Sequence, residues 1–142
     1  MPRATIEIPD KIHFRTSLNV RITDINYGGH LGNDTLLAYI HEARLKFLNH
    51  FEFSEKNVDG AGIIMADAVI IYKSQAYYGD VLSIQVTVTD LSKRACDLIY
   101  QITRESDQKE IARAKTRIAF FDYQRNTTVL IPAKFRSLFE ET

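Results

Sequence analysis

Arg21-Ile-Thr-Asp24-Ile-Asn26-Tyr-Gly28-Gly29-His30-Leu31-Gly32-Asn33-Asp34 runs straight into Thr35-Leu-Leu-Ala-Tyr-Ile-His-Glu42-Ala43-Arg44-Leu-Lys-Phe47-Leu48. The first half gathers two carboxylates, two carboxamides, an imidazole and three glycines in one loop. The second half is helical: from Asp34 to Phe51, apolar residues fall at 36, 37, 40, 43, 47, 48 and 51, the spacing of one helix face. Asn33 or Asp34 is a natural N-cap, since its side-chain oxygen can accept an orphan N–H. A helix start presents unpaired N–H groups and a partial positive charge, which suits an oxygen gaining negative charge. Glycines let backbone approach a ligand closely. Polar groups gathered before such a terminus point to a reaction site.

Outward from this join, the chain reads as one strand, the helix, and then strands. Residues 13 to 22 alternate in part and end at the glycine-rich loop, which predicts a strand. Residues 52 to 61 read as a polar loop. Strands are expected over Ile63 to Lys73, Val81 to Asp90, Ala95 to Arg104 and Glu110 to Asp122, with Gly79-Asp80 as punctuation. In the Val81 stretch, Leu82, Ile84, Val86 and Val88 alternate with Ser83, Gln85 and Thr87, the mark of a sheet with one face buried and one wet. A short helix is expected after Pro132. One apolar helix followed by about four antiparallel strands has a ready packing solution: the sheet curls around the helix. Its edge strands stay open, and a second copy is the simplest cover. A homo-oligomer, dimer or tetramer, is therefore expected.

Bulk properties narrow the function. The 142 residues suit one domain, taken as 1–142, with a substantial core. Eighteen basic and eighteen acidic residues give zero formal charge and are mixed along the chain, so nucleic acid is not an expected partner. No apolar run approaches the roughly 20 residues of a membrane span, and the first residues lack an apolar signal core. The single cysteine, Cys96, excludes an intrachain disulfide framework and fits a reducing cytoplasm. It has no histidine neighbour and reads as core filling. His13, His41 and His50 show no metal-ligand spacing, so no metal or cofactor is expected. Tyr72, Tyr77 and Tyr78 read as packing or interface groups. Lys73, Arg94, Lys115 and Arg117 could meet coenzyme A phosphates but equally suit solvated strand faces, and none is assigned a role.

The pattern resembles the hotdog-fold acyl thioesterases, in the branch of 4-hydroxybenzoyl-CoA thioesterase and the long-chain acyl-CoA thioesterases. That branch carries an arginine, a loop of the form Asp-x-Asp-x-x-Gly-His-Val-Asn-Asn, and a helix with Glu-Ala-Arg. Here Arg21, Asp24, Gly29, His30, Leu31, Asn33 and Glu42-Ala43-Arg44 stand at matching spacing. Tyr72 with Gly79-Asp80, and Asp122, match further segments. The resemblance covers residues 13 to 135. It implies an α+β hotdog fold, one long central helix wrapped by a curved antiparallel sheet of five to six strands. It also implies hydrolysis of an acyl-CoA or acyl carrier protein thioester without a cofactor. The family's catalytic aspartate falls at Asn26, and a carboxamide can neither attack a carbonyl nor deprotonate water. Three residues are candidates to replace it. Asp24 lies two positions earlier, on the same side of an extended segment. His30 is a base near neutral pH. Glu42 lies about 13 Å along the helix from Asn33 and would act from a partner subunit. Asn26 could orient the water. Gly29, Leu31, Gly32 and Asn33 would bind substrate, with the amides of Leu31 to Asn33 holding the thioester oxygen.

Two other readings compete. Asp24-Ile-Asn26-Tyr-Gly-Gly-His30 also resembles the loop of hotdog (R)-specific enoyl-CoA hydratases, without its proline and one residue too long. A non-catalytic acyl-thioester binding protein would keep the fold and lose the chemistry at Asn26.

Overall fold

The computed structural model describes residues 4–140. Six strands and two helices form from local pattern. They are β1 (Phe14–Asn19), α1 (Asn33–His50), β2 (Gly62–Tyr72), β3 (Val81–Thr89), β4 (Ala95–Arg104), β5 (Glu110–Asp122), the two-residue β6 (Thr127–Thr128) and α2 (Ala133–Phe139). All pairings are antiparallel, in the order β1-β3-β4-β5-β2, with β6 beside β5. This is the hotdog arrangement: one long helix against a curved antiparallel sheet.

Helix α1 buries Leu36, Tyr39, Ile40, Ala43, Phe47 and Leu48 against the inner sheet face. Leu82, Ile84, Val86, Leu98, Ile102, Ile118 and Phe120 complete the core. Fully burying a side chain such as Phe47 contributes about 1.5–3 kcal/mol. From α2, Phe135 and Phe139 add rings against Phe120 and Phe47, with centroids 5.0 and 5.5 Å apart. Cys96 is fully buried in β4, and burial pushes its thiol up to about 12, as core filling requires.

Three expectations are corrected. The first strand ends at Asn19 rather than at residue 22, because the chain turns into a 3-10 helix at Ile22–Asp24. The wet face of β3 is partly covered. Ser83 and Thr87 are buried, and β1 and the segment before it supply their partners: Arg15 Nε, on β1, donates to Ser83 Oγ at 2.9 Å and Thr87 Oγ1 donates to the Lys11 carbonyl at 2.9 Å. Finally, the N-cap of α1 is Gly32, which makes no side-chain capping bond. A Cβ at Gly32 would lie 2.9 Å from Asp34 Oδ1 and 3.2 Å from Thr35 Oγ1, so a larger residue there would have to displace those two side chains.

Arg44 of the Glu-Ala-Arg motif is 5% exposed. Its Nε donates to Glu55 Oε2 at 3.1 Å, and His41 Nε2 meets Glu55 Oε1 at 3.1 Å. Burial alone would raise the Glu55 carboxyl, but the hydrogen bonds from His41 and Arg44 outweigh it and hold it below its ordinary value. The motif thus ties α1 to the loop before β2.

Candidate active site

The loop from Arg21 to Gly32 is shaped by its own polar groups. Asn26 Oδ1 accepts the Gly28 N–H at 2.9 Å, and the Asn26 N–H donates to the His30 carbonyl at 2.9 Å. Gly29, at φ 84°, makes the left-handed turn that closes this ring of bonds. A Cβ at Gly28 would lie 3.3 Å from both Asn26 Oδ1 and His30 Nε2, so these two side chains flank one glycine.

His30 Nδ1 lies 3.1 Å from the Leu31 carbonyl oxygen. A carbonyl accepts only, so Nδ1 carries the proton in this bond, and in the neutral ring Nε2 has the lone pair. The Leu31 N–H is spent on the Ala76 carbonyl at 2.8 Å, and the Gly32 N–H on the Asp24 carbonyl at 3.2 Å. The expected oxygen-holding set of Leu31 to Asn33 therefore shrinks: its unspent donor is the Asn33 N–H, which meets no acceptor among the described residues. A cavity of about 400 Å³ opens here, lined by His30, Leu31, Gly32 and Asn33 with Leu36, Tyr72 and Gln75. Tyr72 Oη donates to the Asn33 carbonyl at 2.9 Å. Burial, then the Asp34 charge, pushes its phenol up, which keeps it a donor.

Asp24 and Glu42 lie elsewhere. Both line a second cavity of about 380 Å³ with Leu18, Asn19, Thr35 and Tyr39. It lies on the β1 flank of α1, whereas the His30 cavity lies on the flank of β2. The 3-10 turn defeats the extended geometry expected between positions 24 and 26. Tyr39 Oη donates to Asp24 Oδ2 at 2.5 Å, Arg21 Nε stands 3.6 Å from the same oxygen, and Thr23 Oγ1 donates to Oδ1 at 3.3 Å. Burial, then the Asp24 hydrogen bond, pushes the Tyr39 phenol up to about 12. Glu42 is half exposed and pairs with Lys46 Nζ at 3.4 Å.

Sequence reading passed over Gln75 and the role of the Tyr39 hydroxyl. Their signal is tertiary: each acts through a partner distant in the chain or on another element. Among the described residues, no group of three or more His, Cys, Asp or Glu side chains is placed to hold a metal ion, and no helix is long and apolar enough to cross a membrane.

The sequence pattern of the thioesterase-like superfamily matches residues 20–139. The chain belongs to that superfamily. Solved structures agree on the fold. The 1,4-dihydroxy-2-naphthoyl-CoA thioesterase Slr0204 of Synechocystis is 21% identical with a TM-score of 0.80, over 88% of this chain and 93% of its own. The probable thioesterase YbaW of Escherichia coli is 21% identical with a TM-score of 0.75, over 89% and 96%. The thioesterase-like PA2801 protein of Pseudomonas aeruginosa is 15% identical with a TM-score of 0.83, over 89% and 98%. No curated protein is matched by sequence. At these identities the superfamily member shares its neighbours' hotdog fold, and its substrate is a separate question.

Proposed function

We propose that this superfamily member hydrolyses an acyl thioester of coenzyme A or acyl carrier protein, with His30 as the base. The observation that carries this reading is the His30 ring: its Nδ1 is committed to the Leu31 carbonyl, and the residue lines one cavity with Asn33, whose amide is unspent. Water bonded to Nε2 attacks the carbonyl carbon while Nε2 takes its proton. The carbonyl oxygen becomes anionic and is held at the start of α1. When the C–S bond breaks, the imidazolium returns the proton to the leaving thiolate, giving free acid and thiol. Asn26 helps to hold the water, since its Oδ1 is spent on Gly28 and its amide hydrogens are the end left for it. Asp24 holds the loop through Tyr39 and Gly32. No metal or cofactor enters the cycle. Burial of the lone cysteine suits a cytoplasmic setting.

A second copy completes the assembly. Strand β2 ends the sheet, and its residues 64–68 are exposed on both faces. Ile63-Ile64-Met65-Ala66-Asp67-Ala68-Val69-Ile70-Ile71 reads almost identically in both directions about Asp67. Antiparallel pairing of two β2 strands about a two-fold axis at Asp67 would match Ile with Ile, Ala with Ala and Met with Val. Lys115 Nζ, 2.9 Å from Asp67 Oδ1, offsets the charge at that centre.

The hydratase reading needs Asp24 and His30 on one substrate, and they line different cavities. The test is thiol release from acetyl-, octanoyl-, palmitoyl- and benzoyl-CoA beside a crotonyl-CoA hydration assay. Thiol release from at least one of the four supports the proposal. Hydration without thiol release, or binding with neither activity, overturns it.

A further inference from the structure

The segment joining β2 to β3 is fixed more firmly than a simple connection requires. Lys73 and Ser74 N–H groups both donate to the Ile111 carbonyl, at 2.9 and 3.1 Å. Arg104, on β4, donates through Nη1 to the Gln75 carbonyl at 3.0 Å and to Asp80 Oδ2 at 3.2 Å, and it grips Asp107 through Nε and Nη2, each at 3.1 Å. The Tyr77 N–H donates to Asp80 Oδ2 at 2.9 Å. The Ala76 carbonyl takes the Leu31 N–H at 2.8 Å, so the segment is bonded directly to the His30 loop.

Within this clamp the Gln75 side chain has a defined sense. Its Oε1 accepts the Tyr77 hydroxyl at 3.0 Å. The carboxamide therefore turns its Nε2 hydrogens away from Tyr77, and Nε2 meets no acceptor among the described residues. Gln75 lines the same cavity as His30, Gly32 and Asn33. Gln75 is exposed and its carboxamide is oriented by this bond to Tyr77; a neutral donor in one cavity with a base and a helix start is what a developing oxyanion needs.

We propose that Gln75 is a catalytic residue of the thioester hydrolysis, donating from Nε2 to the thioester carbonyl oxygen together with the Asn33 N–H. This rests on the hydrolase reading above. Gln75 forms no covalent bond. The carbonyl π pair moves onto oxygen as water adds, Gln75 and Asn33 hold that charge, and the pair returns as the C–S bond breaks. Tyr77 is a positioning residue, because it fixes which end of the carboxamide faces the carbonyl. Prior orientation spares the transition state the cost of ordering the donor.

The test measures kcat and KM for the best-hydrolysed acyl-CoA of the panel in Gln75→Ala, Gln75→Glu and Tyr77→Phe, with thermal unfolding of each. Gln75→Ala should lower kcat by about 10²-fold, the scale of a lost oxyanion donor, with KM little changed. Gln75→Glu keeps the shape but presents an acceptor, and should lose more than the alanine variant. Tyr77→Phe should show a smaller fall, also in kcat. A glutamate variant at the wild-type rate overturns the assignment, since a merely structural role would survive that swap. His30→Ala in parallel keeps the two claims apart. If it is inactive while Gln75→Glu is not, only the Gln75 assignment fails. If His30→Ala is fully active, the hydrolysis scheme itself fails.

Discussion

Replacing Tyr39 with phenylalanine removes one oxygen from the second turn of α1 and unties Asp24. In the folded protein Tyr39 is 8% exposed, and its hydroxyl lies 2.5 Å from Asp24 Oδ2. A hydrogen bond to a charged group contributes about 1.5–3 kcal/mol. What remains for Asp24 is Thr23 at 3.3 Å and the largely exposed Arg21 at 3.6 Å, and an exposed ion pair adds little. Tyr39→Phe should therefore destabilise the fold by about 2 kcal/mol at pH 7.5, a fall in melting temperature of roughly 5–10 °C for a chain of this size. The pH dependence carries the decisive sign. Tyr39 titrates at about 12 when folded against 10.0 in the ordinary state. Its contribution is thus complete below pH 10 and is lost as pH rises toward 12. Urea unfolding followed by circular dichroism at pH 7.5 and pH 11 reads both effects, with the gap between wild type and variant narrowing at the higher pH. A gap below about 0.5 kcal/mol at pH 7.5, or one that does not narrow, would refute the role given to this bond.

Two further substitutions probe the loop and the sheet edge. Asn26→Asp keeps an oxygen for the Gly28 N–H, bonded at 2.9 Å, and adds a carboxylate beside His30. Thiol release should rise, because the new carboxylate can accept from the water and take its proton in place of the lost amide hydrogens; a fall would show that those hydrogens are themselves required. Asp67→Cys should crosslink two chains on mild oxidation, because residues opposed in an antiparallel pair stand about 4.5–5.5 Å apart, within disulfide reach. Non-reducing electrophoresis reads the dimer, and a chain that stays monomeric rules out pairing about Asp67.

Much of the fold was legible because its signals are local. The helix spacing from Leu36 to Leu48, the alternation of Leu82 to Val88 and the turn at Gly79-Asp80 each fix an element without reference to the others. The edges of elements were less legible. The 3-10 turn at Ile22–Asp24 and the cap at Gly32 depend on bonds to Tyr39 and on crowding by Asp34 and Thr35, which spacing does not encode. The same holds for the site. Sequence brought out His30 and Asn33 because they sit beside one another at a helix start. It offered Asp24 as one of three candidates to replace the aspartate missing at position 26, whereas in the structure Asp24 lines a different cavity from His30. Gln75 carried no signal at all, since its orientation comes from Tyr77 and from Arg104 on another strand.

The most direct measurement is thiol release by His30→Ala and Asp24→Asn, assayed side by side with the wild-type protein and checked for folding. The account predicts that His30→Ala loses about 10²–10⁴-fold in kcat, the usual worth of a general base. Asp24→Asn should stay within about tenfold, because its part is to hold the loop. An active His30→Ala beside an inactive Asp24→Asn would contradict the account and return the chemistry to the carboxylate.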